Sequence, residues 1–115
     1  MDKVSFSGDS FIMPRDFNHV ILTGQVCSKP TLVSLSNNKR ICFFNIVNIE
    51  RFRTGDGRSG SHENVITIEV FGMKAEQTER EVIEGMRYAV TGYLRVDEFH
   101  GVEKTRVRAY NIQAE

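Results

Sequence analysis

Between Glu63 and Phe99 the hydrophobic period changes twice, from two residues to a helical spacing and back. Asn64 to Phe71 alternates, with Ile66, Ile68 and Val70 on one face and Val65, Thr67, Glu69 and Phe71 on the other. Gly72 closes that strand. Lys74 to Glu84 suits a helix, because Ala75, Thr78 and Val82 recur near helical spacing and Gly85 is placed as its C-terminal stop. From Met86 the period returns to two, with Tyr88, Val90, Gly92, Leu94 and Val96 on one parity. A single short helix between two strands is a narrow constraint. It leaves two aromatics, Phe71 and Phe99, on the less apolar parity of their strands.

The rest of the chain is strand-like. Residues 1–17 are broken by Gly8, Ser10 and Pro14, so they read as a flexible leader or an edge extension. Phe6, Phe11, Ile12 and Phe17 could clip that leader onto the domain or a second subunit. His19 to Val26 is the first strand, and Gly24 in its middle predicts a bend where one strand serves two sheets. Thr31 to Leu35 reads as its short continuation, Ser36 to Lys39 as a turn, and Arg40 to Ile49 as the second strand. Thr54 to Ser61 is the most Gly-rich stretch and predicts a long, mobile hairpin tip. Val102 to Ile112 is the last strand. The order strand, strand, strand, helix, strand, strand predicts a mainly β fold over residues 18–115. It is that of a five-stranded oligonucleotide/oligosaccharide-binding barrel (OB-fold), with one helix between strands 3 and 4.

A chain of 115 residues makes one domain with a modest core. Its zero net charge argues against a purely electrostatic polyanion binder. The distribution is less even: +3 over residues 1–60, −4 over 61–86 and +1 over 87–115, so the helix is acidic and the strands mildly basic. A solvated mixed-charge surface fits those counts equally well. No run approaches the ~20 apolar residues of a membrane span. The N-terminus lacks an apolar signal core, so an intracellular, cytoplasmic protein without membrane contact is expected. Cys27 and Cys42 read as reduced, partly buried thiols, with a bridge left open.

Catalytic and metal readings find little support. His19, His62 and His100 are scattered, and no spacing suggests a metal ligand set or a bound cofactor. Gly55 to Gly60 lacks the Gly-Lys-Ser/Thr ending and following helix of a phosphate loop. Asp97 and Glu98 are adjacent and so point to opposite faces of a strand. No enzymatic activity is expected.

A binding surface is better supported. Single-strand binders set aromatics in a basic groove, because any base can stack on a ring. Phe52 lies between Arg51 and Arg53, Phe71 shares its parity with Thr67, and Phe99 shares its own with Tyr93 and Arg95. Lys104, Arg106 and Arg108 occupy one face of the last strand, and Lys39, Arg40 and Arg58 lie in or beside loops. Phe44 is expected in the core, and Phe43 and Phe71 fit either core or surface. Phe52 and Phe99, beside charges at strand ends, are expected to be exposed.

At these residues the chain resembles the bacterial single-stranded DNA-binding protein family. The resemblance rests on Val20 to Val26 followed by Pro30, on Phe44 to Phe52, and on Val70-Phe71-Gly72, Ala75-Glu76, Gly85 and Gly92-Tyr93-Leu94-Arg95. It covers Asn18 to about Ile112. It implies the same barrel, assembled as a homo-oligomer of two or four copies, with the family's stacking aromatics falling on Phe52, Phe71 and Phe99. Val65-Ile66 stands where the family commonly has Trp-His, and Val96-Asp97-Glu98 replaces a basic run. The sequence stops at Glu115 without the family's acidic-apolar tail, which fits either a core fragment or the tailless primosomal relative. The resemblance implies sequence-tolerant binding of single-stranded DNA in replication, recombination or repair, alongside replication or repair proteins. The alternative is a protein-interaction module of a primosome-like assembly with weak or no DNA binding.

Overall fold

The computed structural model describes residues 16–115, except for the side chain of Phe99. The aromatic leader expected over residues 1–17 therefore lies outside the described residues up to position 15. The elements are β1 (Val20–Val26), β2 (Thr31–Ser34), a 3-10 turn (Ser36–Asn38), β3 (Arg40–Arg53), β4 (Ser59–Phe71), α1 (Met73–Glu81), β5 (Arg87–Phe99) and β6 (Val102–Ala114). The strands run in the order β1-β5-β6-β4-β3-β2, and a further β1–β3 pairing closes five of them into a barrel.

Closure needs β1 to serve both sides. Val20 to Gln25 pair antiparallel with β5, while Gln25 and Val26 also pair with β3. Gly24 stands at that crossing, as the bend in the sequence predicts, where a Cβ would meet the Val47 carbonyl oxygen at 2.5 Å. On the other side the parallel pairs Ile68 with Val107 and Glu69 with Arg108 join β4 to β6. Asn18 extends the β1–β5 ladder with its side chain. Its Nδ2 donates to the Leu94 carbonyl and its Oδ1 accepts from the Leu94 N–H, both at 2.8 Å.

One parity of each strand fills the barrel. Val26, Cys42, Phe44, Ile46, Ile68, Val70, Val90 and Val107 form its centre. Each such side chain contributes about 1.5–3 kcal/mol by leaving water. The helix closes one end of the barrel through Ala75, Thr78 and the residue after it, Val82, all buried. An ion pair between Arg40 and Glu76 ties it to the start of β3.

Three expectations are corrected. The helix lies between β4 and β5, because Thr31–Ser34 is a strand in its own right, laddered to β3 from Ser34–Arg40 to Thr31–Phe43. It ends at Glu81 rather than Glu84. Val82 turns extended to reach the core, and the Tyr88 hydroxyl takes up the Ile83 N–H at 3.0 Å. Gly85, at φ +93°, shapes the turn into β5 instead, donating its N–H to the Val26 carbonyl at 2.8 Å. The third expected element is the hairpin tip. β3 and β4 pair without interruption from Ile41–Phe71 to Arg53–Ser59, which shortens the tip to residues 54–58. Ser59 to Glu63 give no hydrophobic alternation because that part of the ribbon carries exposed residues on both faces.

Candidate functional site

The outer parity of β3 and β4 carries Phe43, Asn45 and Val47 beside Phe71, Glu69, Thr67 and Val65. Phe43 is registered with Glu69, Glu69 with Arg108, Arg108 with Tyr93, and Arg106 with Arg95. Four strands thus set aromatics on one flank, a carboxylate in the middle and three arginines on the other. Thr67 donates its hydroxyl to Asn45 Oδ1 at 2.8 Å, which fixes the floor next to Glu69.

Glu69 is 1% exposed, a burial typical of the barrel core. Taking a carboxylate out of water is costly unless charge and hydrogen bonds replace it. Arg108 Nε donates to Glu69 Oε1 at 2.9 Å, Arg106 Nη1 lies 3.7 Å from Oε2, and Arg95 Nε lies 3.9 Å from Oε1. Asp97 reaches the same arginines from the rim, at 3.4 Å from Arg95 Nη2 and 3.9 Å from Arg106 Nη1. Both outer guanidiniums lie over rings. Arg108 Cζ is 4.7 Å from the Phe71 centroid and Arg106 Cζ is 5.4 Å from that of Phe43, both within cation–π range. The surface is therefore a set of cation-capped rings around a buried acid, with the arginine side chains 20–39% exposed.

The residues singled out by sequence separate into three groups. Phe71, Arg95, Arg106 and Arg108 come together in this cluster. Lys104 continues the Arg106–Arg108 row, registered with Asp97, while Arg51 and Arg53 lie on the same outer parity of β3, farther along the ribbon. Phe52 is on the opposite parity, half exposed, with its ring lying across Gly60. Lys39 follows the 3-10 turn, Arg40 is engaged by the helix, and Arg58 is held by Asp56 in the hairpin tip. The backbone of Phe99 pairs with Val102 at the far end of β5.

Two members of the cluster escaped the sequence reading: Glu69 as the hub, and Phe43 as a ring beneath an arginine. The signal for Glu69 was a single acid on the parity of Thr67 and Phe71, facing a last strand with three cations on one side. That link needs the parallel β4–β6 pairing, which no local pattern announces.

Away from this cluster, a concavity of about 410 Å³ opens between α1 and the ends of β5 and β6, lined by Lys74, Thr78, Val82, Tyr88 and Tyr110. Its one cation, Lys74, donates to the Tyr110 carbonyl at 3.2 Å, so it makes a poor seat for an anion. Among the described residues no group of three or more His, Cys, Asp or Glu could hold a metal ion. No helix among them is long and apolar enough to cross a membrane.

Comparison with known proteins places this geometry. The model of the single-strand binding protein family matches residues 17–115. No curated protein matches the sequence. Among solved structures, the SSB of Plasmodium falciparum in complex with ssDNA superposes with a TM-score of 0.82 at 18% identity, covering 90% of this chain and 99% of that one. The small single-stranded DNA-binding protein of Streptomyces coelicolor gives 0.71 at 18%, covering 89% and 96%. A deletion mutant of the single-stranded DNA binding protein of Thermus aquaticus gives 0.80 at 20%, and there this chain, covered to 90%, spans 52% of the longer one. At these identities the likeness is one of fold.

Proposed function

Since the chain belongs to the single-strand binding protein family, we propose that it binds single-stranded DNA with little regard to base sequence, without catalysis, in replication, recombination or repair. The observation that carries this reading is the clustering of Phe43, Phe71, Arg95, Arg106 and Arg108 on one outer face of the barrel. Stacking is tolerant of sequence because every base has a π-face, and phosphate contacts position the strand without reading it. Lys104, Arg51 and Arg53 extend the cationic track along that face. Phe52, Phe99, Lys39, Arg40 and Arg58 are outlying contributors for a longer strand. The working form is a homo-oligomer of two or four copies in the cytoplasm, associated with the nucleoid and with replication or repair proteins.

Titration of a labelled oligo-dT by anisotropy, repeated across a salt series, tests the reading. Affinity should fall with salt at a log–log slope of about −0.7 per phosphate neutralised. A wild-type chain with no salt-sensitive binding at low ionic strength would remove it.

A second reading is an interaction module of the same descent in a primosome-like assembly. Asp97 favours it, because it reaches two of the three arginines from the rim and lowers their pull on phosphate. Pull-downs with and without nuclease treatment separate the two: partners lost on digestion are held through DNA, and partners retained are held by protein.

A further inference from the structure

We infer that Glu69 is a positioning residue of the binding face, holding the guanidinium planes of Arg108 and Arg106 on Phe71 and Phe43 so that bases meet cation-capped rings rather than bare ones. The inference rests on the single-stranded DNA reading above and adds to it how the face is organised.

The register puts Glu69 where it can do this. Its backbone is paired with Phe43 on one side and with Arg108 on the other, so its carboxylate lies between the two strands that supply ring and cation. Arg108 is gripped through Nε at 2.9 Å. A guanidinium held at that nitrogen cannot sweep freely about its stem, yet its terminal nitrogens remain for other acceptors. Its Cζ lies over Phe71, 4.7 Å from the ring centre. A guanidinium is a flat cation on which a base can stack. Arg106 is arranged in the same sense, with Nη1 near Glu69 Oε2 and its carbon over Phe43.

The arrangement also provides for its own disturbance. Arg95 Nε is buried without a hydrogen-bond partner among the described residues, 3.9 Å from the oxygen that Arg108 uses. When a phosphate draws Arg108 outward, that donor is at hand to take up the carboxylate. A buried acid left with no donor would oppose such a movement. With Arg95 in reserve, Glu69 can release one arginine and keep another.

The test turns on a sign. Glu69→Gln removes a negative charge from beneath a cationic face. If Glu69 only diluted the field, the variant would bind oligo-dT more tightly at low salt, with a steeper salt slope. If Glu69 positions the arginines, the variant binds more weakly, by roughly fivefold or more, although its charge is more favourable. Glu63→Gln makes the same charge change at an exposed place on β4 and should leave binding equal or tighter. The Arg108 side-chain resonances supply a readout that general loosening would not mimic. They should carry a ring-current shift from Phe71 that disappears in Glu69→Gln while the dispersion of the core methyl signals persists.

If Glu69→Gln does not fold, Arg108→Lys decides. It keeps the charge and loses the plane, so it should weaken binding at every salt concentration with the slope unchanged. Tighter or unaltered binding by Glu69→Gln, or by Arg108→Lys when the first variant fails to fold, overturns the inference and leaves the DNA reading standing. A wild-type chain that does not bind removes both.

Discussion

Gly24 approaches Val47 so closely that a Cβ on the glycine would lie 2.5 Å from the Val47 carbonyl oxygen and 3.0 Å from its carbon. Both atoms belong to backbone, so neither can rotate away. This is the point where β1 leaves β5 and takes up β3, and the barrel closes only if the two chains can touch here. Gly24→Ala is expected to cost about 2 kcal/mol through overpacking that a backbone cannot relieve. Urea denaturation should show a lower midpoint with the same slope. An unchanged midpoint would mean that closure at β1–β3 contributes little to the fold.

Asp56 makes the hairpin tip sensitive to acid. Its Oδ2 accepts from Arg58 Nε at 2.8 Å and Oδ1 from the Arg58 N–H at 3.2 Å, with the Thr54 hydroxyl on the same Oδ1. The Arg58 bond first, and then Thr54, bring its pKa from 3.8 to about 2. The folded value lies below the unfolded one, so the contribution is whole above about pH 4 and is lost as pH falls through 2. Carbon-detected titration of the Asp56 carboxyl should show a midpoint near 2, with the Arg58 Nε–H signal collapsing over the same range. A midpoint at the ordinary 3.8 would show that the tip is open in solution.

How much of this was readable depends on which forces leave a local trace. Ile66, Ile68 and Val70 announce the inner face of β4 because burial imposes period two, and Gly24 announces the crossing because only a missing side chain permits it. The short helix that follows the strand ending at Phe71 comes from the same change of period, but its rank among the strands does not, because Thr31–Ser34 is a separate strand. Ser59 to Glu63 say nothing, since a ribbon solvated on both faces has no alternation to keep. Glu69 is the instructive failure. On its parity it looks like a solvent residue, and it is buried only because Arg95, Arg106 and Arg108 arrive from strands far along the chain. Phe52 and Phe71 were both candidate stacking rings, but strand parity puts them on opposite faces.

Cys42 and Cys27 should behave as different reagents. Burial pushes the Cys42 thiol up to about 11, and the Glu79 carboxylate adds to the shift. Cys27 is exposed. Iodoacetamide at pH 8 is expected to label Cys27 on the folded protein and to reach Cys42 only on unfolding, because the reacting species is the thiolate. Labelling of Cys42 then reports opening of the barrel. Equal labelling of both under native conditions would show that the packing of α1 on β3 opens readily.

Phe52 should matter only to long strands. Its ring covers Gly60, whose missing side chain leaves the room, and it lies on the reverse face from Phe71. From Gly60 to Phe71 is roughly 35 Å along an extended strand. An oligonucleotide too short to cover that distance and turn the edge of the ribbon cannot use both rings. Phe52→Ala is therefore expected to leave short oligo-dT binding unchanged and to weaken long oligo-dT by about 1–3 kcal/mol, the value of one stacked base. Melting should move little, within about 1 kcal/mol, because the ring is 46% exposed and outside the barrel centre. Equal loss on short and long strands would place Phe52 in the same binding patch as Phe71. A large fall in melting temperature would instead make the ring a structural cover for Gly60.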